Sequence, residues 1–158
     1  QDCCVCSKSG AAITCCAMGC GRSLHLPCAT KGGCVTQYHP HYRYLLSPLC
    51  QLHLGRSHHF SPSLFPLRAF CSEHSPVQVM EAVPEKGTTC LICLEKVDSR
   101  KSFHTLVCPA CKHAWFHRHC IQGLAVQDGF TGFGCPHCRE KDMFRREMKR
   151  VGIRIPFR

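Results

Sequence analysis

Apolar positions along the chain form short, scattered runs, and none approaches the roughly 18–20 residues that a membrane span needs. The segment Arg139–Arg150 carries apolar residues among charges and predicts a short amphipathic helix that ends near Gly152. Its apolar members are Met143, Phe144 and Met148. Pro156 excludes helix from Val151–Arg158, so this tail is predicted to be extended. The rest of the pattern predicts little regular secondary structure.

Cysteine supplies much of the apolar content. The chain has 158 residues, of which 44% count as apolar, but 17 residues are Cys. This share of Cys exceeds the roughly 8–10% that already marks a Cys-stapled scaffold. Without Cys the chain has too few apolar residues for a large hydrophobic core, so we expect disulfides or bound metal ions to stabilise the fold.

The spacing of Cys and His favours bound metal over disulfides. Pairs with two intervening residues are Cys3 with Cys6, His25 with Cys28, Cys71 with His74, Cys90 with Cys93, Cys108 with Cys111, His117 with Cys120, and Cys135 with Cys138. A two-residue gap lets both side chains point into one tetrahedron around Zn²⁺. An odd number of Cys argues against a closed disulfide framework, and disulfides have no use for His at these places. We therefore predict structural zinc.

The first group of ligands lies within residues 1–74 and is large enough for two zinc ions. The order of the ligands predicts an interleaved cross-brace, in which pairs one and three bind one ion and pairs two and four bind the other. The two sites would be Cys3, Cys6, His25 and Cys28, and Cys15, Cys20, Cys71 and His74. Cys4 is a rival of Cys3, but only Cys3 gives the two-residue gap to Cys6. Spacing alone does not decide between Cys15 and its neighbour Cys16.

The second group of ligands lies within residues 90–138 and again predicts a cross-brace with two ions, which makes four in the chain. The two sites would be Cys90, Cys93, His117 and Cys120, and Cys108, Cys111, Cys135 and Cys138. His113 could replace Cys111 in an alternative register, and His119 is expected to be exposed.

Between the two groups, Ser75–Thr89 contains two Pro, mixed charge and no ligand, and it reads as a short linker. The predicted organisation is a zinc module at 1–74, a linker at 75–89, a second zinc module at 90–138, and a basic helix and tail at 139–158. Metal binding would supply folding free energy that such small modules lack. The predicted fold class is a small zinc-stabilised α+β protein with two cross-brace modules.

Longer motifs around these ligands resemble a known family. FCSEH at 70–74 is similar to the last ligand pair of an extended PHD finger. CLICLE at 90–95, CPACKHAWFHRHC at 108–120, CPHC at 135–138 and MKRVGIRIP at 148–156 resemble the family of PHD finger protein 7 and the G2/M-phase-specific ubiquitin ligase. The resemblance covers nearly the whole chain. It implies a PHD-type first module and a RING-type second module.

Two features depart from that family. Its extended finger begins with a separate zinc knuckle and helix, which do not precede Gln1, so the chain is expected to be a fragment. Between Cys28 and Cys71 there are 42 residues, more than such fingers usually need. We interpret Tyr44–Arg68, which is rich in Leu, Ser, Pro and Phe, as translated intron sequence; the alternative is a natural loop insertion. Under either interpretation the segment could loop out at modest entropic cost.

The predicted zinc is structural, because four protein ligands fill each site and leave no position for water. The chain also contains no Gly-rich phosphate loop and no HExxH motif. The resemblance implies instead a RING-type E3 ubiquitin ligase. Such a protein binds a ubiquitin-conjugating enzyme and holds its thioester-linked ubiquitin in a reactive pose.

The resemblance also supplies candidate contacts to the conjugating enzyme: Ile92, Trp115, Pro136 and Arg139. RING ligases place an apolar anchor where Ile92 stands and a groove-lining residue where Pro136 stands. Arg139 follows the eighth ligand, the position of a linchpin that hydrogen-bonds both the conjugating enzyme and ubiquitin. The alternatives are that Ile92 and Trp115 pack a small core and that Arg139 is a solvated charge.

A competing interpretation makes the second module another PHD finger. Its order of four Cys, one His and three Cys is that of a PHD finger, and Phe133 stands where these fingers place an aromatic residue. The whole chain would then be a non-enzymatic tandem reader of histone tails or DNA. The Ile92, Pro136 and Arg139 set and the family resemblance favour the RING interpretation.

The first module is expected to be a binding module. Resemblance implies that it docks on chromatin in the nucleus and that the ligase acts on a histone lysine, so the histone tail and nucleosome are expected partners. The formal net charge of +10 adds DNA as a candidate partner. If all 13 ligand thiols are deprotonated around four Zn²⁺, however, the net charge falls to about +5, which weakens the argument for DNA.

Overall fold

The structure is a computed structural model, and it describes residues 1–38 and 67–157. The chain divides into two compact units, Gln1–Ser75 and Pro76–Arg158. In the described residues the regular structure consists of short antiparallel strand pairs and three helices, a small α+β fold as predicted. The proposed insertion at 44–68 lies outside the described residues, except for its last two positions, which belong to a strand.

Two strand pairs and one short helix form the first unit. Strand β1 (Ile13–Thr14) pairs with β2 (Ser23–Leu24), and helix α1 (Leu26–Lys31) follows almost at once. Strand β3 (Val35–Tyr38) pairs with β4 (Leu67–Phe70). Both pairs are antiparallel, and the N–H of Cys16 donates to the carbonyl of Ala69 at 2.7 Å, which brings Cys15 beside Cys71.

Helix α1 begins and ends where the local sequence allows. Pro27 occupies its first turn, where a backbone N–H would have no partner within the helix. The helix ends at Gly32, where a Cβ atom would collide with the side chain of Val5. Among the described residues of this unit the buried core is small: Leu24 is the one large aliphatic side chain of its cluster, and Val35 is buried besides. The core consists of Cys3, Ala11, Leu24, Ala29 and Cys34.

The second unit contains one strand pair and two helices. Strand β5 (Thr105–Val107) pairs antiparallel with β6 (Trp115–His117). Helix α2 (Arg118–Gly132) follows β6 directly, and helix α3 (Asp142–Arg150) precedes the tail. The helices cover an apolar core to which Phe116, Phe133 and Phe144 contribute side chains that are fully buried.

Helix α2 is an element that the sequence pattern does not predict. Its apolar residues do not fall on one face, and Gly123 and Gly129 lower its intrinsic helix propensity. It is held instead by packing, since Ile121 and Ala125, one turn apart, are both 0% exposed. Gly129 has φ 63° and ψ −175°, a region open essentially to glycine alone, and it interrupts the helix near its end.

The amphipathic helix predicted over Arg139–Arg150 is confirmed as α3, which begins three residues later than predicted, at Asp142. The carboxylate of Glu140 accepts hydrogen bonds of 2.9–3.0 Å from backbone N–H groups in the first turn of α3. These donors have no partner within the helix. These donors are Asp142, Met143 and Phe144. Their hydrogen bonds lower the pKa of Glu140. Phe144 and Met148 are buried, as the pattern predicts, whereas Met143 is exposed.

The segment predicted as a linker is in part a structural element of the second unit. Its residues 76–84 form a strap: Gln78 donates to the carbonyl of Val107 at 2.7 Å and accepts the Val107 N–H at 2.8 Å. The amide of Gln78 thus satisfies backbone groups of β5 as a neighbouring strand would. Gln78 and Met80 are each only 5% exposed. The linker boundary is corrected accordingly, because alternate residues of the strap point into the core.

The C-terminal tail is extended, as predicted, and it docks on α2. The N–H of Phe130 donates to the carbonyl of Pro156 at 2.7 Å. Gln122 and Arg154 exchange two hydrogen bonds, at 2.8 and 3.0 Å. Ile153 and Ile155 are buried in the core. The strap precedes the ligands in sequence and the tail follows them, and both contribute buried side chains to the core of the second unit.

Arg118 connects the start of α2 to neighbouring segments. Its Nε donates to the carbonyl of Phe103 at 2.6 Å, and its Nη1 donates to the carbonyl of Val151 at 2.6 Å. Its guanidinium lies 3.8 Å from the centroid of the Phe103 ring. Burial lowers the pKa of Arg118 to about 10. These contacts hold the backbone beside the candidate ligand His117.

None of the helices in the described part of the chain combines the length and the apolar character that crossing a membrane requires.

Candidate functional site

The structure brings the sixteen predicted metal ligands together in four groups of four. Within each group the candidate ligand atoms all lie within 4.8 Å of one another. The groups are Cys3, Cys6, His25 and Cys28; Cys15, Cys20, Cys71 and His74; Cys90, Cys93, His117 and Cys120; and Cys108, Cys111, Cys135 and Cys138. These are the groupings expected for two interleaved cross-braces.

The spacing of atoms within the groups fits zinc. A tetrahedral ion with metal–sulfur distances of about 2.3 Å has sulfur–sulfur edges of about 3.8 Å. The sulfurs of Cys20 and Cys71 are 3.9 Å apart, and those of Cys108 and Cys138 are 3.8 Å apart. A thiolate and imidazole donor set of this size suits Zn²⁺, so the four groups fit four structural zinc ions.

Three of the four groups contain one histidine and three cysteines, and in each of them the histidine faces the sulfurs through Nδ1. The Nδ1 of His25 is 3.4 Å from the sulfur of Cys6, and the Nδ1 of His117 is 3.3 Å from that of Cys93. In the remaining mixed group the Nδ1 of His74 is 3.2 Å from the sulfur of Cys71. Each histidine therefore presents one nitrogen to the same small volume as the thiols.

The second ring nitrogen holds two of these histidines in place. The Nε2 of His25 is 3.2 Å from the carbonyl oxygen of Ser9, and the Nε2 of His117 is 3.1 Å from that of Lys96. A carbonyl oxygen can only accept, so Nε2 carries the hydrogen and leaves the Nδ1 lone pair free for a metal. This contact sets both the tautomer and the ring orientation.

Backbone N–H groups stabilise one thiolate in each of two sites. Burial alone would raise the pKa of these thiols, but backbone hydrogen bonds outweigh it and lower the pKa of Cys3 to about 6 and that of Cys90 to about 7. One such donor is the N–H of the histidine ligand, His25 or His117, at 3.4 Å from the sulfur. Because the thiolate is the zinc-binding form, these two sulfurs are prepared for metal, whereas burial raises the pKa of their partners Cys28 to about 11 and Cys120 to about 12.

Four ligand pairs share one turn geometry. In each Cys-x2-Cys pair the residue after the second Cys has φ between 59° and 63°. Its N–H donates to the carbonyl of the first Cys at 2.8–3.0 Å. The four residues are Ser7, Leu94, Lys112 and Arg139. We call such a turn a knuckle; it turns the backbone N–H groups of the pair toward the sulfurs.

The structure separates the ligands from their rivals. Cys15 is buried among the other members of its group, whereas Cys16 is outside every group. Cys4 is exposed and likewise outside, so Cys3 takes the place beside Cys6. His113 and His119 are exposed and belong to none of the groups found among the described residues.

The predicted contacts to a conjugating enzyme differ in exposure. Ile92 is 38% exposed, and Pro136 and Arg139 are also exposed. Trp115 is only 8% exposed and belongs to the core cluster. The expected aromatic contact at Trp115 is therefore corrected to a packing role, because β6 turns its indole inward.

Two exposed leucines accompany Ile92, and the sequence interpretation did not single them out. Leu91 is 43% exposed and Leu94 is 73% exposed. The CLICLE motif contains the signal, since three of its six residues are large and aliphatic. Their role could not be judged without the knuckle conformation, which turns them outward.

Comparison with known proteins supports these observations. Residues 88–139 match the family described as Ring finger domain. The chain is 36% identical over 155 residues to a "G2/M phase-specific E3 ubiquitin-protein ligase" of Homo sapiens. The aligned region covers 98% of this chain and 18% of that protein. The proteins of that name from Macaca fascicularis and Gallus gallus are 36% and 35% identical over the same length.

The chain spans 18% of the length of the curated relatives it matches. The domain match favours the RING interpretation over a second PHD finger, and Phe133, which suggested the latter, is buried against the ring of Phe144 at 5.2 Å between centroids. Its aromatic character serves the core of the second unit. Residues 88–139 thus match the Ring finger domain family, and the chain is similar along nearly its whole length to relatives named G2/M phase-specific E3 ubiquitin-protein ligase.

Proposed function

We propose that this chain is the part of a RING-type E3 ubiquitin ligase that binds a ubiquitin-conjugating enzyme and orients its ubiquitin thioester. The observation that carries the proposal is the exposure of Ile92, Pro136 and Arg139 at the knuckles of a zinc scaffold that matches the RING family. The relatives named as E3 ubiquitin-protein ligases support the same reaction class.

The chain would act by orientation and would form no covalent bond with ubiquitin. An acceptor lysine amine attacks the thioester carbonyl carbon, so a C–N bond forms and the C–S bond breaks. The conjugating enzyme's cysteine leaves as a thiolate, and the amine proton passes to a base. Holding the thioester in a reactive pose lowers the entropic part of this barrier.

Arg139 is suited to the bridging role. The knuckle holds its backbone at φ 62°, and its N–H donates to the carbonyl of Cys135 at 2.8 Å. Its guanidinium is exposed and forms no ion pair with the part of the chain that the structure describes. Five donors in a planar fork can therefore reach two partners at once.

The test is transfer of ubiquitin in vitro with a panel of purified conjugating enzymes. Ile92→Ala and Arg139→Ala are expected to lower chain formation by about tenfold or more, in line with interface hot spots. Arg146→Ala is the matched control, because Arg146 is an exposed arginine on α3 outside the knuckles. A wild-type chain that is inactive with every enzyme of the panel would overturn the proposal.

We further propose that the first unit docks the ligase on chromatin in the nucleus, so that a histone lysine is the acceptor. The support is a set of exposed cations: in the described part of this unit Lys8, Lys31 and Arg68 face one further carboxylate, Asp2, because Glu73 is paired with Arg22 at 2.6 Å. Exposed cations of this kind suit the phosphates of DNA or the nucleosome more than a free basic tail.

Binding to reconstituted nucleosomes and to free duplex DNA at about 50 and 200 mM salt tests this docking role. Affinity should fall steeply with salt, and Lys8→Glu should weaken binding while zinc content stays the same. Salt-independent affinity, or none, would contradict it. Nucleosome binding by a chain without ligase activity would favour the non-enzymatic reader instead.

A further inference from the structure

The end of α2 and the C-terminal tail form an exposed stack of two aromatic rings. The rings of Phe130 and Phe157 are 4.8 Å apart between centroids, with an angle of 21° between their planes. Phe130 is half-buried, whereas Phe157 is 60% exposed, so much of the outer ring faces solvent. We call these two rings and the two cations beside them, Arg145 and Lys149, the tail platform.

Both cations come from α3 and lie against the aromatic stack. The guanidinium of Arg145 is 4.9 Å from the centroid of the Phe130 ring, and the Nζ of Lys149 is 4.5 Å from the same centroid. Lys149 also lies 5.6 Å from the centroid of Phe157. The guanidinium of Arg145 is fixed, because it donates two hydrogen bonds of 2.8 Å to backbone carbonyls where α2 ends. Positive charge is thus held beside the aromatic faces by cation–π contacts.

The Lys149 ammonium has no carboxylate within ion-pair distance among the residues that the structure describes. Arg145 approaches Asp142 at 4.0 Å, and the side chain of Asp142 is 90% exposed, so solvent screens that contact. Burial and the charge of Arg145 both lower the pKa of Lys149. Because both effects disfavour the charged form of Lys149, an anion bound beside it would be stabilised by this surface.

Packing of the tail accounts for only part of this arrangement. The tail is already held by the N–H of Phe130, which donates to the carbonyl of Pro156 at 2.7 Å, and by Ile155, which is 7% exposed. Phe157 follows these contacts and does not belong to the core cluster of the second unit. An aromatic side chain that is 60% exposed adds little to the core, so its outer face is available to a ligand.

We propose that the tail platform binds single-stranded nucleic acid, with a base stacked on Phe157 and the neighbouring phosphate beside Lys149. The platform combines the two features that such sites share, an aromatic face for a base and positive charge for the backbone. A duplex fits less well, because its bases are stacked on one another and offer no free face. An acidic peptide would match the cations but would leave the exposed ring unused. Neither ring belongs to a knuckle, and the binding does not require ubiquitin transfer.

The experiment measures binding of the zinc-loaded full chain to fluorescein-labelled oligothymidine and oligouridine of about 12 nucleotides, a common size for single-strand sites. The same oligothymidine annealed to its complement provides the duplex, and the readout is the ratio of single-strand to duplex affinity. Phe157→Ala should lower this ratio about tenfold, because the contact to one stacked base is lost. Phe157→Trp should keep the ratio, and the bound bases should quench its indole fluorescence. Trp115 is only 8% exposed and should not respond.

The contribution of charge is measured from the salt dependence of single-strand binding. Lys149→Gln should reduce the slope of log affinity against log salt by about 0.7, which corresponds to one lost phosphate contact on a single strand. Lys101→Gln is the matched control, because Lys101 is an exposed lysine of the same unit in the loop before β5. It should leave the slope unchanged.

Equal affinities of the wild-type chain for single strand and duplex would overturn the inference, and so would a ratio that Phe157→Ala leaves unchanged. Polyglutamate that competes as well as unlabelled oligothymidine would show that charge alone is recognised, which overturns it too. A Phe157→Ala chain that unfolds and loses its zinc would show that the ring serves the fold and not a ligand. Tighter binding of oligouridine than of oligothymidine, or the reverse, would support the site and identify RNA or DNA as its ligand.

Discussion

Corresponding positions in the two units make the same contacts around their first metal site. In the first unit the N–H of His25 is 3.4 Å from the sulfur of Cys3, and in the second the N–H of His117 is 3.4 Å from the sulfur of Cys90. Both histidines use Nε2 to reach a backbone carbonyl. The first metal site is therefore built in the same way in both units, whereas the second sites differ, since one contains His74 and the other four Cys.

The apolar cores beneath these sites differ greatly. Among the described residues, the first unit buries Leu24 and Val35 with small side chains, whereas the second buries a continuous cluster that includes three aromatic rings of Phe. The ring of Phe144 packs against that of Phe116 at 6.1 Å between centroids. Helix lengths follow the same trend, since α1 has 6 residues and α2 has 15.

This difference shows that zinc and apolar burial are partly exchangeable sources of stability. A unit that buries little apolar surface depends on metal for its folding free energy. A unit with a larger core can add an extended surface, such as the strap and the tail.

The largest expected effect is that of zinc removal. Each structural zinc site contributes of the order of 10–16 kcal/mol in zinc-finger peptides. On titration with a strong chelator, amide protection in β1 to β4 should be lost at lower chelator concentration than protection in α2 and α3. Hydrogen exchange with mass spectrometry measures this, and addition of zinc should restore both. Simultaneous loss in the two units would break the comparison.

Truncating the core of the second unit should have the next largest effect. Phe144→Ala removes a ring that is 0% exposed and should cost about 3–5 kcal/mol. The neighbouring Met143→Ala is the control, because Met143 is 51% exposed and should change stability by less than about 0.5 kcal/mol. Denaturant unfolding followed by near-ultraviolet circular dichroism measures both. Equal effects would mean that α3 is not packed as described.

A smaller effect is expected at the glycine that interrupts α2. Gly129→Ala forces a side chain into φ 63° and ψ −175° and should destabilise the second unit by about 1–3 kcal/mol. Gly123→Ala lies in the same helix with open space around its Cβ and should stabilise it by up to about 1 kcal/mol. Thermal unfolding compares the two. Stabilisation by both would show that the interruption is not required.

The smallest expected effect is that of deleting residues 44–68. The deletion joins Arg43 to Ala69, so Arg43 takes the place of Arg68. An arginine therefore still lies opposite Gln37 in the pairing of β3 with β4. A shorter closed loop should leave stability unchanged or raise it by about 1–2 kcal/mol. Zinc content and thermal unfolding check this. Loss of two zinc ions on deletion would show that the segment is needed by the first unit.

Several features could be predicted because they depend on residues close in sequence. The two-residue gap between ligands restricts both side chains to one side of a tight turn, so the knuckles follow from spacing alone. Helix α3 follows from its apolar face, since Phe144 and Met148 are one turn apart. The extended tail follows from Pro156, which cannot continue a helix.

Other features depended on contacts between distant residues. The strap is buried because Gln78 meets Val107, 29 positions away, and no local pattern of the linker indicates that contact. Trp115 points inward because β6 pairs with β5, although its motif permits an exposed side chain equally well. Helix α2 forms over glycines because Ile121 and Ala125 are buried by the rest of the unit.

The sequence by itself determined the metal chemistry, the division into two zinc-binding units and the candidate knuckle residues. Ligand type and spacing are local properties, and a tetrahedral ion accepts few arrangements of them. Only the tertiary structure decided which apolar residues form a core and which face solvent, because burial is set by the whole chain. Leu94 shows the difference: its motif is visible in the sequence, but its positive φ and its exposure arise only in the folded unit.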